Sequence, residues 1–286
     1  MDRLFVLLQY LLPKHLLTAL IYRIARIRSP GIKDFLIERF VQAFDVDIEE
    51  VAGKVPEDFA TFNEFFVREL RHGARPVDNR TDRLVSPVDG TVSFAGKLKK
   101  NMLVQAKGID YTLDDLLATD LDAARAYADG MFATIYLAPY NYHRVHAPFD
   151  GTLVAARYVP GDLFSVNEAT VARVPGLFRR NERLVMHFET AIGPAVVIFV
   201  GALNVGSIST PWSGEIRPRA NGVVDVLDLD SRRTELCRGD LLGWFNMGST
   251  VILLLPEGAC EWHMHMRPGE TLRMGTSIAV LNNGGE

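Results

Sequence analysis

Short apolar segments separated by turn residues recur along most of this chain. After Val77, segments rich in Val, Ile, Thr, Phe and Leu alternate with Gly, Pro, Asn and Asp. Runs of this length, bounded by turn residues, are typical of β-strands. We predict strands at Gly90–Phe94, Met131–Leu137, Gly151–Tyr158, Leu184–Phe188, Ala195–Val200, Gly222–Leu227, Val251–Leu255 and Ser277–Leu281. The sequence therefore predicts a mainly antiparallel β body.

The N-terminal part has a different character. Leu4 to Leu12 and Leu16 to Tyr22 are apolar runs, and Ile32 to Phe44 has apolar residues at helical spacing. Residues 1–44 carry seven basic and three acidic side chains, although the whole chain has a formal net charge of -4. Basic, amphipathic helices are typical of a segment that lies on a membrane surface. For Ile32 to Phe44, a helix packed on the body is an equally good interpretation.

Two further properties of this segment limit its function. Each apolar run is shorter than the roughly 18–20 residues needed to cross a bilayer, which predicts peripheral association without a transmembrane helix. Its basic residues are interleaved with Leu, Ile and Phe and are not clustered with exposed aromatic residues, which argues against nucleic-acid binding.

A polar connector separates the two parts. Asp45 to Asp58 is acidic and polar, and Thr61 with Glu64 then forms a capping-box pattern at the start of a further helix. We therefore predict an N-terminal helical, membrane-associating segment with its connector at residues 1–58, and a β-rich domain at residues 59–286. The predicted fold class is α+β.

The stretch Met247-Gly248-Ser249-Thr250 stands immediately before the apolar run Val251 to Leu255. Gly248 has no side chain, so its carbonyl is open to attack by the neighbouring Ser249 hydroxyl. Gly and Ser are also ordinary turn residues, so a simple turn into a strand is the alternative.

Three upstream stretches carry further polar groups. Ser86-Pro87-Val88-Asp89-Gly90 presents one carboxylate before a strand, and His143 and His146 lie three residues apart. Histidine titrates near neutral pH, so either ring could move protons. Structural histidines, or a zinc site formed with His263 and His265, are the alternatives. Because recognisable zinc-ligand spacings with Cys or carboxylate partners are lacking, we predict no metal. The third stretch, Gly161 to Asn167, reads by itself as a loop.

Several ordered motifs resemble the phosphatidylserine decarboxylases, specifically the bacterial pyruvoyl-dependent family. The resemblance runs from Thr61 to the start of the final strand and includes the N-terminal helices. The motifs that carry it are TFNEFFVREL, SPVDG, QAKGIDYTLDDLL, YHRVHAP, YVPGDLFSVN, FRRNER, VGALNVGSI and MGST.

The resemblance implies a proenzyme that cleaves itself between Gly248 and Ser249, with Met247 where Leu is usual. It implies that Ser249 is the nucleophile, that His146 is the base, and that Asp89 orients His146. Ser249 would become a covalent pyruvoyl group, the cofactor, which forms a Schiff base with the substrate. His143 is the candidate proton donor or headgroup contact.

The resemblance also implies partners and a location. The substrate would be phosphatidylserine in an anionic membrane, met at the cytoplasmic face of the cell membrane. The large and small cleavage chains would form a heterodimer, and two such units a homodimer. A pyruvoyl decarboxylase acting on a soluble amino acid or on another phospholipid is one alternative. A non-catalytic β-sandwich-like binding module is the other.

Overall fold

The computed structural model describes residues 2–99, 102–106, 109–118, 125–204, 207–229 and 234–282. Its first three helices, which we call the N-terminal head, are α1 (Asp2–Leu11), α2 (Lys14–Ala25) and α3 (Pro30–Phe44). The later helices are a 3-10 turn at Ile48–Glu50, α4 (Phe62–Phe66), α5 (Leu113–Leu117), α6 (Glu168–Val171) and α7 (Leu177–Arg180). Thr61 caps α4 as predicted: its Oγ1 accepts a hydrogen bond from the Glu64 amide at 3.1 Å.

Strands make up most of the remaining chain. The first nine are β1 (Arg83–Val85), β2 (Gly90–Lys97), β3 (Met102–Ala106), β4 (Ile109–Thr112), β5 (Met131–Tyr136), β6 (Arg144–His146), β7 (Gly151–Val159), β8 (Arg183–Thr190) and β9 (Gly193–Val200). The others are β10 (Ile208–Thr210), β11 (Gly214–Ile216), β12 (Asp225–Val226), β13 (Glu235–Leu236), β14 (Leu241–Phe245), β15 (Thr250–Leu255), β16 (Cys260–Trp262), β17 (Thr271–Leu272) and β18 (Ser277–Leu281).

One large sheet dominates the body. Its strands run in the order β12-β7-β8-β9-β15-β5-β2-β17, and β13 also pairs with β7. Smaller sheets have the orders β11-β10-β14-β6, β1-β18-β16 and β3-β4. The strand pairings in the described residues are antiparallel. The predicted α+β class with a mainly antiparallel body is confirmed.

Most predicted strands agree with the structure within a few residues. The exception is Gly222–Leu227, where only Asp225 and Val226 form a strand, because only they pair with β7. The prediction succeeds best for β15, whose six residues are all buried between β9 and β5. A continuous apolar run is what a strand buried on both faces requires.

The head packs firmly against the body. Phe40 of α3 contacts the rings of Phe62 and Phe66 in α4, with centroids 5.2 and 5.8 Å apart. Gln9 of α1 donates to Thr170 Oγ1 at 3.0 Å and accepts from the Ser165 amide at 2.8 Å. The predicted domain boundary at residue 58 stays a prediction, because the N-terminal head packs against residues on the other side of it through these contacts.

The head also exposes apolar side chains. They are Phe5, Leu7, Leu8, Tyr10, Leu11, Leu12, Leu16, Leu20, Ile24, Ile32, Phe35 and Phe44. Among the described residues no single helix has both the length and the apolar content of a membrane span. Taken together, the helical stretches Phe5–Leu11 and Lys14–Ala25 have the length and apolar content of a span. The chain, however, bends by 93° between them.

Candidate active site

Strand β15 fixes the position of Ser249. Thr250, its first residue, pairs with Tyr136 on one side and Val200 on the other. The Ser249 carbonyl accepts a hydrogen bond from the Leu137 amide at 2.8 Å. The Gly248–Ser249 peptide therefore lies where the loop after β14 enters the most buried strand of the large sheet.

The loop on the other side of this peptide is strained and anchored. Met247 has φ 117°, a left-handed value that residues with a Cβ rarely adopt. Asn246, which precedes it, is buried, and its Nδ2 donates to Ser207 Oγ at 2.8 Å and Ser209 Oγ at 2.9 Å. Its Oδ1 accepts from Asn63 Nδ2 at 3.0 Å. These bonds hold the backbone in a conformation that costs about 1–3 kcal/mol.

His143 is the imidazole that meets the Gly248 backbone. A Cβ added to Gly248 would lie 3.3 Å from His143 Nε2, so glycine permits this close approach. The Nδ1 of His143 lies 2.8 Å from the Asn141 carbonyl, which can only accept, so Nδ1 carries the proton. The Nε2 of His143 and the Oγ of Ser249 are both buried, and neither has a hydrogen-bond partner among the residues described.

Burial lowers the pKa of His143 to about 3, and the charge of Arg68 acts in the same direction. The ring is therefore neutral near pH 7, with the lone pair of Nε2 available at Gly248. Phe66 covers it, with ring centroids 4.1 Å apart. A buried acceptor and a buried hydroxyl that both lack partners among the described residues are costly to keep unless they have a chemical use.

A cavity opens beside Gly248. It has a volume of about 350 Å³, and we call it the Gly248 cavity. Its lining is largely apolar and aromatic, with Asn167 and Asn204 among the polar side chains. The aromatic and sulfur-containing lining residues are Phe40, Phe44, Phe62, Phe66, Tyr136 and Met247. A ligand with an apolar portion could therefore reach the Gly248–Ser249 peptide past the aromatic side chains of the head.

His146 has a different environment. Its Nδ1 lies 2.7 Å from the Gly239 carbonyl, and its Nε2 lies 3.0 Å from the Tyr142 hydroxyl, which therefore donates to it. Burial lowers the pKa of His146. His146 lines a second cavity of about 280 Å³, together with Arg75 and Tyr142. The structure thus places His143, and not His146, against Gly248.

Asp89 is engaged by an arginine. Its two oxygens accept from Arg75 Nε at 2.8 and 3.0 Å and from Arg75 Nη2 at 2.5 Å. The Met274 amide also donates to Asp89 at 2.8 Å, and Arg75 forms a second ion pair with Glu50 at 2.8 Å. The described conformation therefore holds Asp89 beside Arg75, with His146 bonded elsewhere.

The remaining histidine pair is separate from these groups. His263 Nε2 bonds with Ser277 Oγ at 2.8 Å, and the His263 and His265 rings lie 5.5 Å apart. Within the described parts of the chain, no group of three or more His, Cys, Asp or Glu side chains could hold a metal ion.

Sequence reasoning missed four residues of this region. Arg75 contacts Asp89, and Tyr142 contacts His146. Asn246 anchors the loop before Gly248, and Arg68 lies near His143. Arg68 and Tyr142 belong to motifs already quoted, TFNEFFVREL and YHRVHAP, but the motifs alone assign them no partner.

A buried serine and a neutral imidazole beside one peptide bond define a candidate acyl-transfer site on an α+β scaffold. Comparison with known proteins specifies the class. A family model described as phosphatidylserine decarboxylase matches residues 62–280, and a second model described as PSD matches residues 4–45.

Full-length relatives agree with the family models. A phosphatidylserine decarboxylase proenzyme from Alcanivorax borkumensis is 46% identical over 283 residues, covering 99% of this chain and 97% of the relative. Proenzymes with the same name from Methylococcus capsulatus and Saccharophagus degradans are 44% and 42% identical, with 96% and 98% of both chains covered. The chain belongs to the phosphatidylserine decarboxylase family.

Proposed function

We propose that this chain converts phosphatidylserine to phosphatidylethanolamine and CO2, and that it makes its own pyruvoyl cofactor by cleaving the Gly248–Ser249 bond. Family membership makes the chain a phosphatidylserine decarboxylase, a lyase of phospholipid metabolism. Self-cleavage is supported by one observation above all. Ser249, whose buried hydroxyl has no hydrogen-bond partner among the described residues, follows the strained Met247 and Gly248. The unbonded Nε2 of His143 lies close to the Gly248 backbone.

The cleavage we propose begins with attack of Ser249 Oγ on the Gly248 carbonyl carbon. The C–N bond breaks, the hydroxyl proton is transferred to the freed amine through a base, and an ester replaces the amide. Elimination then removes the Cα proton of Ser249 and breaks its Cβ–Oγ bond. The products are a carboxylate on Gly248 and a dehydroalanine, which loses ammonia on hydrolysis to leave the pyruvoyl group.

The proposed base for this reaction is His146, oriented by Asp89, as the family resemblance implies. His146 suits the task because burial keeps it neutral and its Nε2 is an acceptor. For these two residues to carry out cleavage, His146 must break its hydrogen bond with Tyr142 and form one with Ser249. Asp89 must also weaken its hydrogen bonds with Arg75. His143 already lies at Gly248 without such an exchange, and the variants below compare the two histidines directly.

The residues around Ser249 also fit the second reaction. The pyruvoyl group would supply the electron sink that amino-acid decarboxylation requires. His143 would hold or move a proton at the reacting centre, since its Nε2 is unbonded and faces Gly248. The aromatic side chains of the Gly248 cavity would exclude water and accept the apolar portion of the lipid.

The head would bring this site to the lipid. We propose peripheral attachment at the cytoplasmic face of the cell membrane, with the exposed leucines of α1 and α2 in the acyl boundary. Arg23 and Arg28 are exposed and suited to anionic headgroups, whereas Arg26 is bound to Glu215 at 2.6 Å. The two cleavage chains would remain associated, and we propose that they assemble as a homodimer.

Ser249→Ala tests self-cleavage. The wild-type protein is expected to give a large chain ending at Gly248 and a small chain beginning at residue 249, whereas the variant stays at 31.9 kDa. Intact-mass spectrometry also identifies the blocked pyruvoyl end of the small chain. Two fragments from the variant would refute the scheme.

A second experiment distinguishes the role of His143 from that of His146. We expect His146→Ala and Asp89→Ala to remain uncleaved, and His143→Ala to cleave but to decarboxylate phosphatidylserine at least about 100-fold more slowly, the usual scale of acid–base catalysis. His265→Ala is the control. If His143→Ala failed to cleave while His146→Ala cleaved normally, the base would be His143.

A further inference from the structure

Arg68 is a buried cation with few partners. Its side chain is 4% exposed, and the ring of Phe65 lies 5.2 Å from its guanidinium carbon. Its Nη2 donates to the Tyr140 carbonyl at 2.9 Å and lies 3.5 Å from the Asn141 carbonyl. Its Nε and Nη1 have no hydrogen-bond partner within the described chain. Keeping a charge in such a place is expensive, so the arrangement calls for an explanation.

Arg183 is a second buried arginine, and it serves as a structural comparison for Arg68. It is 3% exposed, and all three of its nitrogens donate to main-chain carbonyls. The acceptors are the carbonyls of Leu116, Arg179, Asn181 and Asp115. Arg68 differs because one nitrogen makes its contacts while two stay unbonded. Among the described residues its hydrogen bonds go to one short segment, the carbonyls of Tyr140 and Asn141.

The carbonyls that Arg68 contacts lead directly to His143. The Asn141 carbonyl accepts from His143 Nδ1 at 2.8 Å, and Asn141 Oδ1 accepts from the Ala138 amide at 2.7 Å. We propose that Arg68 is a positioning residue: by holding the Tyr140–Asn141 carbonyls it fixes the His143 ring with Nδ1 protonated and Nε2 free at Gly248. The inference rests on the proposed function of His143.

The charge of Arg68 supports the same role. Burial is the main cause of the lowered pKa of His143, and the Arg68 charge is the next. The bond to the Asn141 carbonyl acts in the opposite direction, and the ring of Phe66 packed on His143 is uncharged. Arg68 therefore orients the imidazole and, in addition to burial, favours its neutral form.

The test compares three full-length variants after self-cleavage, with cleaved protein purified before assay. In Arg68→Met, kcat for phosphatidylserine is expected to fall about 10- to 100-fold with KM little changed, the scale of a misplaced catalytic group. The midpoint of the kcat–pH profile should move to higher pH because the repelling charge is gone. Arg68→Lys should restore the wild-type midpoint and much of kcat. Arg183→Met should lower stability without moving the midpoint.

Two outcomes would overturn the inference. One is an Arg68→Met enzyme with wild-type kcat and pH profile. The other is an equal loss in Arg68→Met and Arg183→Met with the same midpoint, which would make Arg68 merely structural. His143→Ala separates this from the proposed function: if that variant retained full kcat, the role of His143 itself would fail.

A spectroscopic measurement covers the case in which Arg68→Met does not cleave. In the uncleavable Ser249→Ala chain, 15N chemical shifts of the His143 ring report which nitrogen carries the proton. We expect protonation at Nδ1 alone, and a mixture of both tautomers when Arg68→Met is added. An unchanged spectrum would refute the positioning role without any measurement of activity.

Discussion

Asn246→Ala should slow self-cleavage by more than its effect on stability explains. Asn246 makes three buried side-chain hydrogen bonds and directly precedes the strained Met247. At about 1 kcal/mol for each bond, the substitution should cost about 3 kcal/mol of unfolding free energy. Without these bonds Met247 can relax, and the 1–3 kcal/mol or so of strain stored beside Gly248 is no longer available to the reaction.

The expected loss of rate follows from that strain. Each 1.4 kcal/mol or so corresponds to a factor of ten, so cleavage should slow by about 5- to 150-fold. Cleavage is followed on denaturing gels after synthesis of the chain in a cell-free system. Stability is measured separately, by urea unfolding of Ser249→Ala with and without Asn246→Ala, where a midpoint lower by about 1 M is expected.

Asn181 provides a matched control. It is fully buried and also makes three side-chain hydrogen bonds, two with the main chain of Phe164 and one with the Gly201 carbonyl. Asn181→Ala should lose a similar amount of stability and yet cleave at the wild-type rate. If both variants cleaved equally slowly, general destabilisation would explain the result and the argument from strain at Met247 would be wrong.

Three further predictions concern stability and membrane binding. Burial raises the pKa of Glu182 from 4.5 to about 7, so its carboxyl is protonated more readily in the folded chain, and stability should fall by about 3 kcal/mol as pH rises from 4.5 to 7. Glu182→Gln in the Ser249→Ala background should abolish that fall in urea titrations, and an unchanged slope would contradict it. Leu11→Asp with Leu16→Asp should abolish sedimentation with anionic vesicles, while Met264→Asp, at an equally exposed position, should not. Gly130→Ala should destabilise the large sheet severely, because its Cβ would lie 2.2 Å from the Leu255 carbonyl oxygen, whereas Gly31→Ala meets nothing within 4 Å and should be neutral or stabilising by up to about 1 kcal/mol in thermal unfolding.

Local patterns in the sequence predict the sheet well, since β15 is an uninterrupted apolar run and becomes the buried strand that it resembles. The Thr61 cap is equally local. The hydrogen bonds of the site are not local. Arg75 reaches Asp89 from 14 residues away, Arg68 reaches Tyr140 from 72, and the Gly239 carbonyl bonds His146 from 93. Such partners leave no periodic signal in the chain.

His143 and His146 show most clearly what the sequence motifs alone do not reveal. His143 and His146 belong to one motif, and a motif implies proximity. Successive residues of extended chain point to opposite sides, so residues three apart diverge. One ring accordingly meets Gly248 and the other lines a separate cavity. Which ring serves which reaction therefore depends on backbone geometry that the motif does not encode.

The burial of β15 has a consequence for the fate of the cleaved molecule. The segment that starts at residue 249 would contribute β15 and β17 to the large sheet, and its β18 pairs with β1 of the longer segment. After the cut, no covalent bond would join these strands to their neighbours. Unfolding would then release two molecules, so refolding would require a bimolecular encounter and the melting temperature would rise with protein concentration. Refolding of the uncut chain would be a unimolecular step, whereas the two segments of a cut chain, once unfolded in dilute solution, would separate.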